Sequence, residues 1–370
     1  MTTTPTATAD APAPDGRGPE TEDRGPGVAA RMVRAVLTQR EVLLVILIVV
    51  VVAWMTALGA GGYLTGPYDS DYLASTLVDA VPLAMLALAE LVVIVSGRGG
   101  IDLSIGSIVS LTSMIFGFAY GEWGWGLATA IVLAVVVGGL LGAINGALIA
   151  WLNFPALITT LATYYAFKSL AVVVNSQQPI STPDIQALYS ITSDVEIPVI
   201  GHNIPDVPLG VFTFLIPTVV AVWLLLQRTS YGRRLFAIGT NDVAATWSGV
   251  HVAATRMWAY TIAGMIAGLV AVYLTAQFAS ARPDAGTSGN GLALPAITIA
   301  VLGGVAITGG IGRVSGVLLA AVLITWLNAG ILLLFEGNAG TQYQLLALGV
   351  VLIFAALLNA FTTRRYGGTR

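Results

Sequence analysis

The sequence contains no cysteine, a single lysine at position 168 and two histidines, and only 9% of its 370 residues are charged. Each scarcity removes a class of chemistry. Without cysteine there are no disulfides and no thiolate metal sites. A phosphate-cradling Walker loop needs a glycine-rich turn that ends in lysine. Lys168 instead follows Tyr164, Tyr165, Ala166 and Phe167, so the chain carries no nucleotide-hydrolysing loop and any energy it uses comes from an ion gradient or a partner. His202 and His251 fall in predicted loops without metal-ligand spacing. No metal, cofactor or catalytic residue is therefore expected, and an intramembrane enzyme would have only carboxylates to work with.

The low charge also fixes the solvent. Globular proteins carry about 25% charged residues, and a water-facing surface cannot be built from 9% charge and 56% hydrophobic residues. Lipid is the fitting medium, in which helices or a closed barrel must satisfy every backbone polar group internally. The apolar runs approach twenty residues and lack the alternation of barrel strands. The fold class is accordingly an all-α polytopic membrane bundle of about ten spans. These are expected near 42–58, 73–95, 103–120, 127–151, 156–175, 209–227, 257–278, 293–309, 315–335 and 342–361. The third and eighth are short and flanked or interrupted by glycines (Gly99, Gly100 and Gly106; Gly303, Gly304, Gly309 and Gly310), which marks them as candidates for broken or re-entrant crossings.

Arginine placement tests this layout, because basic loops stay cytoplasmic. With the amino terminus inside, every arginine except Arg282 falls on the cytoplasmic side, while Asp69, Asp71, Glu122, Asp184, Asp194, Glu196, Asp206, Asp284 and Glu336 collect outside. An even number of spans with both termini cytoplasmic preserves that asymmetry. Residues 1–40 read as a disordered cytoplasmic tail rich in Thr, Pro, Ala and Gly, residues 41–362 as the transmembrane domain, and 363–370 as a short cytoplasmic tail. The run from Val42 comes too late for a cleavable signal peptide. An outer segment over 176–208 contains five prolines and no basic residue, which suits either a passive connector with short helical pieces or a docking surface.

Ionisable groups at membrane depth are candidates for function, since a charge at a helix centre costs about 2.5–3.5 kcal/mol on insertion scales. Asp79, Glu90 and Lys168 are such groups. Depth along their helices matches Asp79 to Lys168, either as a structural ion pair or along a solute path. Asn145 and Asn328 are buried amides suited to a hydroxylated solute, and Asp102 joins the path candidates. Gly138, Gly142 and Gly146 share one helix face, as do Gly264 and Gly268, a spacing that favours close helix packing.

Residues 228–257 form a long basic cytoplasmic loop. Within it, Asp242 to Trp247 reads as a short helix with Asn241 or Asp242 as cap and Gly249 as stop. Such a helix suits a groove on another protein or the lipid headgroups.

Four blocks in order carry a family resemblance. GRGGIDLSIGSIVSL (Gly97–Leu111) resembles the signature of ATP-binding-cassette importer permeases of the ribose, xylose and autoinducer-2 group. NGALIAWLNFPALITTLATYYAFKSLA (Asn145–Ala171), YGRRLFAIGTNDVAATWSGV (Tyr231–Val250) and AITIAVLGGVAITGGIGRVSGVLLAAVLI (Ala296–Ile324) are similar to later blocks of that family. The resemblance implies a type II-like permease fold in the bacterial cytoplasmic membrane and import of a monosaccharide or related polyol-like solute. It also implies three kinds of partner: a second permease subunit, identical or paralogous, a cytoplasmic ATPase, and an extracytoplasmic sugar-binding protein. The loop around Arg233, Gly239, Asn241, Asp242, Ala245 and Gly249 would be the coupling element seated in the ATPase. Arg98 departs from the glycine signature, and Lys168 stands where arginine is frequent, so a forked contact there is lost. Two alternatives compete: a branched-chain amino-acid permease of related fold, and a secondary transporter with Asp79, Glu90 or Lys168 as proton relay. Selectivity is expected to lie mainly with the binding protein, because the interior offers few hydroxyl-reading groups.

Overall fold

The computed structural model describes residues 39–192, 194–195, 205–289, 291–335 and 337–366. Apolar residues on nearly every turn give helices that satisfy their own backbone, and the described residues are almost wholly helical. The long helices in chain order are α1 (Arg40–Ala60), α3 (Leu77–Val95, entered through the short α2, Ser70–Ser75), α4 (Ile105–Gly117), α5 (Leu127–Ala150) and α6 (Ala156–Val173). After the short α7 (Pro183–Ala187) come α8 (Ile216–Arg228), α9 (Ser230–Thr240), α10 (Asp242–Trp247), α11 (Val252–Gln277), α12 (Ala293–Leu302), α13 (Val314–Leu334) and α14 (Asn338–Tyr366). Single π-helical turns extend α4 to Glu122 and begin the α8 span at Val211. The only strands among the described residues are a two-residue pair, Asp194–Val195 with Val207–Pro208.

Nine of the described helical segments are long and apolar enough to cross a bilayer. The expected tenth span is broken. The eighth apolar run makes only the ten-residue α12, about 15 Å long at 1.5 Å per residue, half of a hydrocarbon core of about 30 Å. Irregular backbone flanks α12 on both sides, in the described residues of 278–292 and over 303–313. Such backbone is tolerated at depth only where protein buries it, and here glycine allows the burial. Gly286 lies against the backbone of Gly106 at the start of α4, where a Cβ on either would collide with the other's carbonyl oxygen, and the Gly286 amide donates to Ser110 Oγ at 2.9 Å. The third span, the other suspect, is an intact helix; its irregularity lies just before it, in residues 96–104.

Helices α3, α4 and α11 form the buried centre, while α1, α8 and α14 present apolar side chains outward. The small-residue faces meet each other. A Cβ at Gly138 or Gly142 would strike the carbonyl oxygens of Gly264 or Tyr260, Gly146 lies against Met257, and Gly268 against Ala134. α5 and α11 thus touch backbone to backbone.

One proline needs a remedy. Pro82 inside α3 cannot donate to the carbonyl four residues earlier, and Tyr273 Oη of α11 donates to that Val78 oxygen at 2.7 Å. Tyr273→Phe is expected to cost roughly 1–2 kcal/mol by leaving the carbonyl unpaired in an apolar setting. The purified variant should melt measurably lower in detergent, and an unchanged melting temperature would contradict this account of the bond.

Contacts define two ends of the bundle. At one, Glu41 accepts from Arg313 and Ser315, Arg98 reaches Asn153, and Gly304 lies against Arg40. At the other, Thr65 donates to Leu333 O, Tyr72 Oη to Ala329 O, and Ile180 pairs with Ala281. The described arginines gather at the first end and Arg282 stands at the second, as their positions in the sequence led us to expect. Residues 1–38, with the tail read there and four of the arginines, lie outside the described residues, as do Glu196, His202 and Glu336.

Candidate functional site

The six path candidates separate into three places. Glu90, Asp102 and Asn145 share one buried network where α3 gives way to α4. The Asp102 amide donates to Glu90 Oε2 at 3.3 Å, Ser104 N and Oγ donate to Asp102 Oδ1 at 2.9 and 2.6 Å, and Asn145 Nδ2 donates to Ser104 Oγ at 2.7 Å. All four side chains are fully buried. Neither carboxyl has an ion-pair partner among the described residues, and Glu90 Oε1, Asp102 Oδ2 and Asn145 Oδ1 are buried without a hydrogen-bond partner among them; the network ties the irregular 96–104 segment to α3 and α5. Ser104, its hub, was not singled out from the sequence, although it lies in the GGIDLS stretch of the first resembling block, two residues after Asp102.

Asp79 and Asn328 come together in a second place. Both line a cavity of about 650 Å³ at the end opposite the arginines, with Tyr72, Ser75, Thr76, Val78, Leu83, Tyr189, Thr192, Thr325, Ala329, Leu332 and Gln344. Asp79 Oδ1 accepts from Gln277 Nε2 at 3.0 Å. Gln344 Nε2 donates to the main-chain oxygen of Asn328 at 3.0 Å, and the Asn328 side-chain amide makes no hydrogen bond of its own among the described residues.

Lys168 stands apart, and the expected pairing with Asp79 does not form. Its ammonium lies 3.3 Å from Tyr164 Oη and 5.5 Å from that ring's centroid, on α6, whose neighbours are α4 and α5 rather than α3. Position along a helix does not say which way its side chains face around the bundle, and that rotation decides the pairing.

The basic loop is two helices. α9 begins on the Thr229 cap, whose hydroxyl accepts from Gly232 N at 3.1 Å, and α10 begins on Asn241, whose Oδ1 accepts from Ala244 N at 3.0 Å. α10 ends where Val250 N returns to Ala245 O at 3.0 Å and Gly249 takes φ +80°, a left-handed stop that glycine adopts without strain. Ala245 is buried and Arg233 exposed. Gly239, grouped with them by sequence, points inward: a Cβ there would strike Val95 O and the Gly310 amide. Gly97, Gly239 and Gly309 pack backbone to backbone, so α9 rests directly on the irregular 96–104 and 303–313 segments.

Above that contact Asp242 joins several segments. It accepts from Arg98 Nε at 3.0 Å and faces Arg256 Nη2 at 3.6 Å, while Arg256, only 2% exposed, also donates to Ser96 O at 3.1 Å. Arg98, which broke the glycine signature, thus ties α10 to the 96–104 segment. Outward, α10 presents Val243 and Trp247, 63% and 88% exposed and one turn apart. Neither was singled out from the sequence, although an i, i+4 apolar pair on a charged loop is the available signal.

Comparison with known proteins places this geometry in context. A family model described as branched-chain amino acid transport system / permease component matches residues 72–356. The Autoinducer 2 import system permease protein LsrD of Yersinia enterocolitica is 32% identical over 299 residues, 80% of this chain and 86% of the relative. The Ribose import permease protein RbsC of Bacillus subtilis is 34% identical over 263 residues, 70% and 76% of the two chains. The Fructose import permease protein FrcC of Rhizobium meliloti is 28% identical over 314 residues, 84% and 83%. No solved structure matches the chain.

Proposed function

Because the chain belongs to the family of transport-system permease components matched over residues 72–356, we propose that it is the membrane subunit of an ATP-driven importer of a monosaccharide or related polyol-like solute. It is a transporter subunit rather than an enzyme. The observation that carries the reading is α10, a capped helix that offers Val243 and Trp247 outward on a chain without a nucleotide-binding loop. The arginine-rich end is then cytoplasmic, with both termini there, in a bacterial cytoplasmic membrane. A separate ATPase seats on α10, an extracytoplasmic binding protein delivers the solute at the opposite end, and a second permease subunit completes the passage.

The local structure gives each coupling residue a task in this reading. Asn241 and Gly249 define the ends of α10, Ala245 packs it down, Asp242 locks it to Arg98 and Arg256, and Gly239 seats α9 on the irregular 96–104 and 303–313 segments. Arg233 is exposed on α9 for the partner or the headgroups. A push on α10 is therefore carried by short, stiff contacts to the 96–104 and 303–313 segments. Asp79 and Asn328 belong to the solute's path at the outer cavity, while Glu90, Asp102 and Asn145 hold the segment beside it.

The family description names branched-chain amino acids, whereas the relatives compared along most of their length are named for ribose, fructose and autoinducer-2. Uptake into proteoliposomes with the ATPase and binding protein separates these classes. Ribose-like or fructose-like sugars are expected to accumulate and leucine not; accumulation of leucine alone would overturn the assignment.

A further inference from the structure

The outer cavity is lined by hydrogen-bonding side chains and by no basic residue among the described ones. We propose that it is itself a selective site for an uncharged sugar ring, so that the permease, and not only its delivery partner, discriminates among solutes. This rests on the reading of the chain as a sugar permease and adds to it the chemistry by which the chain would choose.

Its size suits the task. About 650 Å³ falls within the roughly 300–1,000 Å³ of small-molecule sites. So does its chemistry. A sugar presents hydroxyls that both donate and accept, with apolar C–H faces between them. Asp79 is a carboxylate acceptor held in place by Gln277. The Asn328 amide offers both kinds of group, and the buried Thr325 hydroxyl has no hydrogen-bond partner among the described residues. The rings of Tyr72 and Tyr189 supply flat apolar faces, and Tyr72 is fixed by its bond to Ala329 O. Groups positioned by other bonds before a ligand arrives lose little freedom when it binds. The lining is thus richer in hydroxyl-reading groups than the sequence led us to expect.

Charge sets the exclusion. Recognition of a phosphate calls for arginine, lysine or unsatisfied backbone amides. Here the described lining contains one carboxylate and no cation, so a phosphorylated sugar would meet repulsion with nothing to offset it. A branched aliphatic amino acid would find Asp79 for its ammonium but no cation for its carboxylate, and its aliphatic side chain would leave the remaining polar groups unpaired, which is costly.

The absence of native cysteine gives a direct test. Ser75 lines the cavity, and Ser75→Cys introduces the sole thiol of the chain there. The full-length permease is reconstituted in nanodiscs without ATPase or binding protein, and its alkylation by a small water-soluble maleimide is followed with ribose, fructose, ribose 5-phosphate or leucine present. Ribose or fructose should slow labelling saturably, by about fivefold at four times its dissociation constant, following 1 + [L]/Kd. Ribose 5-phosphate and leucine should not, and Asp79→Ala with Asn328→Ala should remove the protection. Leu332→Cys, at another residue of the lining, provides a second probe should the thiol introduced at position 75 fail to react. Labelling that no sugar slows at either position, or that ribose 5-phosphate slows equally, overturns the proposal. If ATP-driven sugar uptake persists without such protection, only this inference fails; protection without ATP-driven uptake leaves the site standing and removes the functional reading.

Discussion

Trp247→Ala is expected to weaken binding of the ATPase by roughly 30-fold or more, the equivalent of about 2 kcal/mol, while leaving the bundle folded. Trp247 is 88% exposed at the end of α10 and has no side-chain hydrogen bond or ring contact among the described residues. Nothing inside the chain explains a tryptophan there. An exposed tryptophan one turn from an exposed valine, on a helix whose opposite side is pinned by Asp242 and the buried Ala245, has the form of an interface anchor. The melting temperature should stay near that of the parent, because the side chain buries little in the free subunit. Binding of the variant to immobilised ATPase, with hydrolysis stimulated by loaded binding protein, checks both halves. Parental affinity with normal stimulation would exclude α10 as the docking element.

Gly239→Leu should fail differently, through loss of the fold. Overpacking costs about 1–3 kcal/mol where side chains can yield. At Gly239 the obstacles are backbone atoms of Val95, at the end of α3, and of Gly310, in the irregular 303–313 segment, so the cost should lie at the top of that range or above it. The variant is expected to give little monodisperse protein in detergent, whereas Gly249→Ala, with open space around it and only a left-handed φ to maintain, should cost about 1–2 kcal/mol and stay folded. Recovery of Gly239→Leu at parental yield and melting temperature would mean that α9 does not rest on those glycines.

The contrast between these two residues measures what was legible in the sequence. Composition and periodicity found the spans, because a helix in lipid must be apolar almost everywhere and must satisfy its own backbone. Capping chemistry found α10 to the residue, because Asn241 and Gly249 act locally. Gly239 was grouped with them although it faces the other way, since direction around a helix axis depends on tertiary neighbours. The same limit misplaced Lys168, which was paired with Asp79 by its expected depth but sits on a helix that packs on α4 and α5 instead of α3. It also hid Arg256, which counted as one more cytoplasmic arginine yet is buried beneath Asp242. The half-length of α12 was foreshadowed by Gly303, Gly304, Gly309 and Gly310; that the segment from Arg282 to Leu292 packs on the start of α4 was not, because the partners of Gly286, Gly106 and Ser110, are far away in the chain.

The division of labour between a passage and a separate motor is tested most directly by the source of energy for uptake. The chain is reconstituted with its ATPase and binding protein, and sugar accumulation is followed with ATP and a protonophore, then with the ATPase left out. Accumulation should survive the protonophore and stop without the ATPase. Accumulation by the chain alone, driven by an ion gradient and abolished by the protonophore, would make it a secondary transporter and contradict the account.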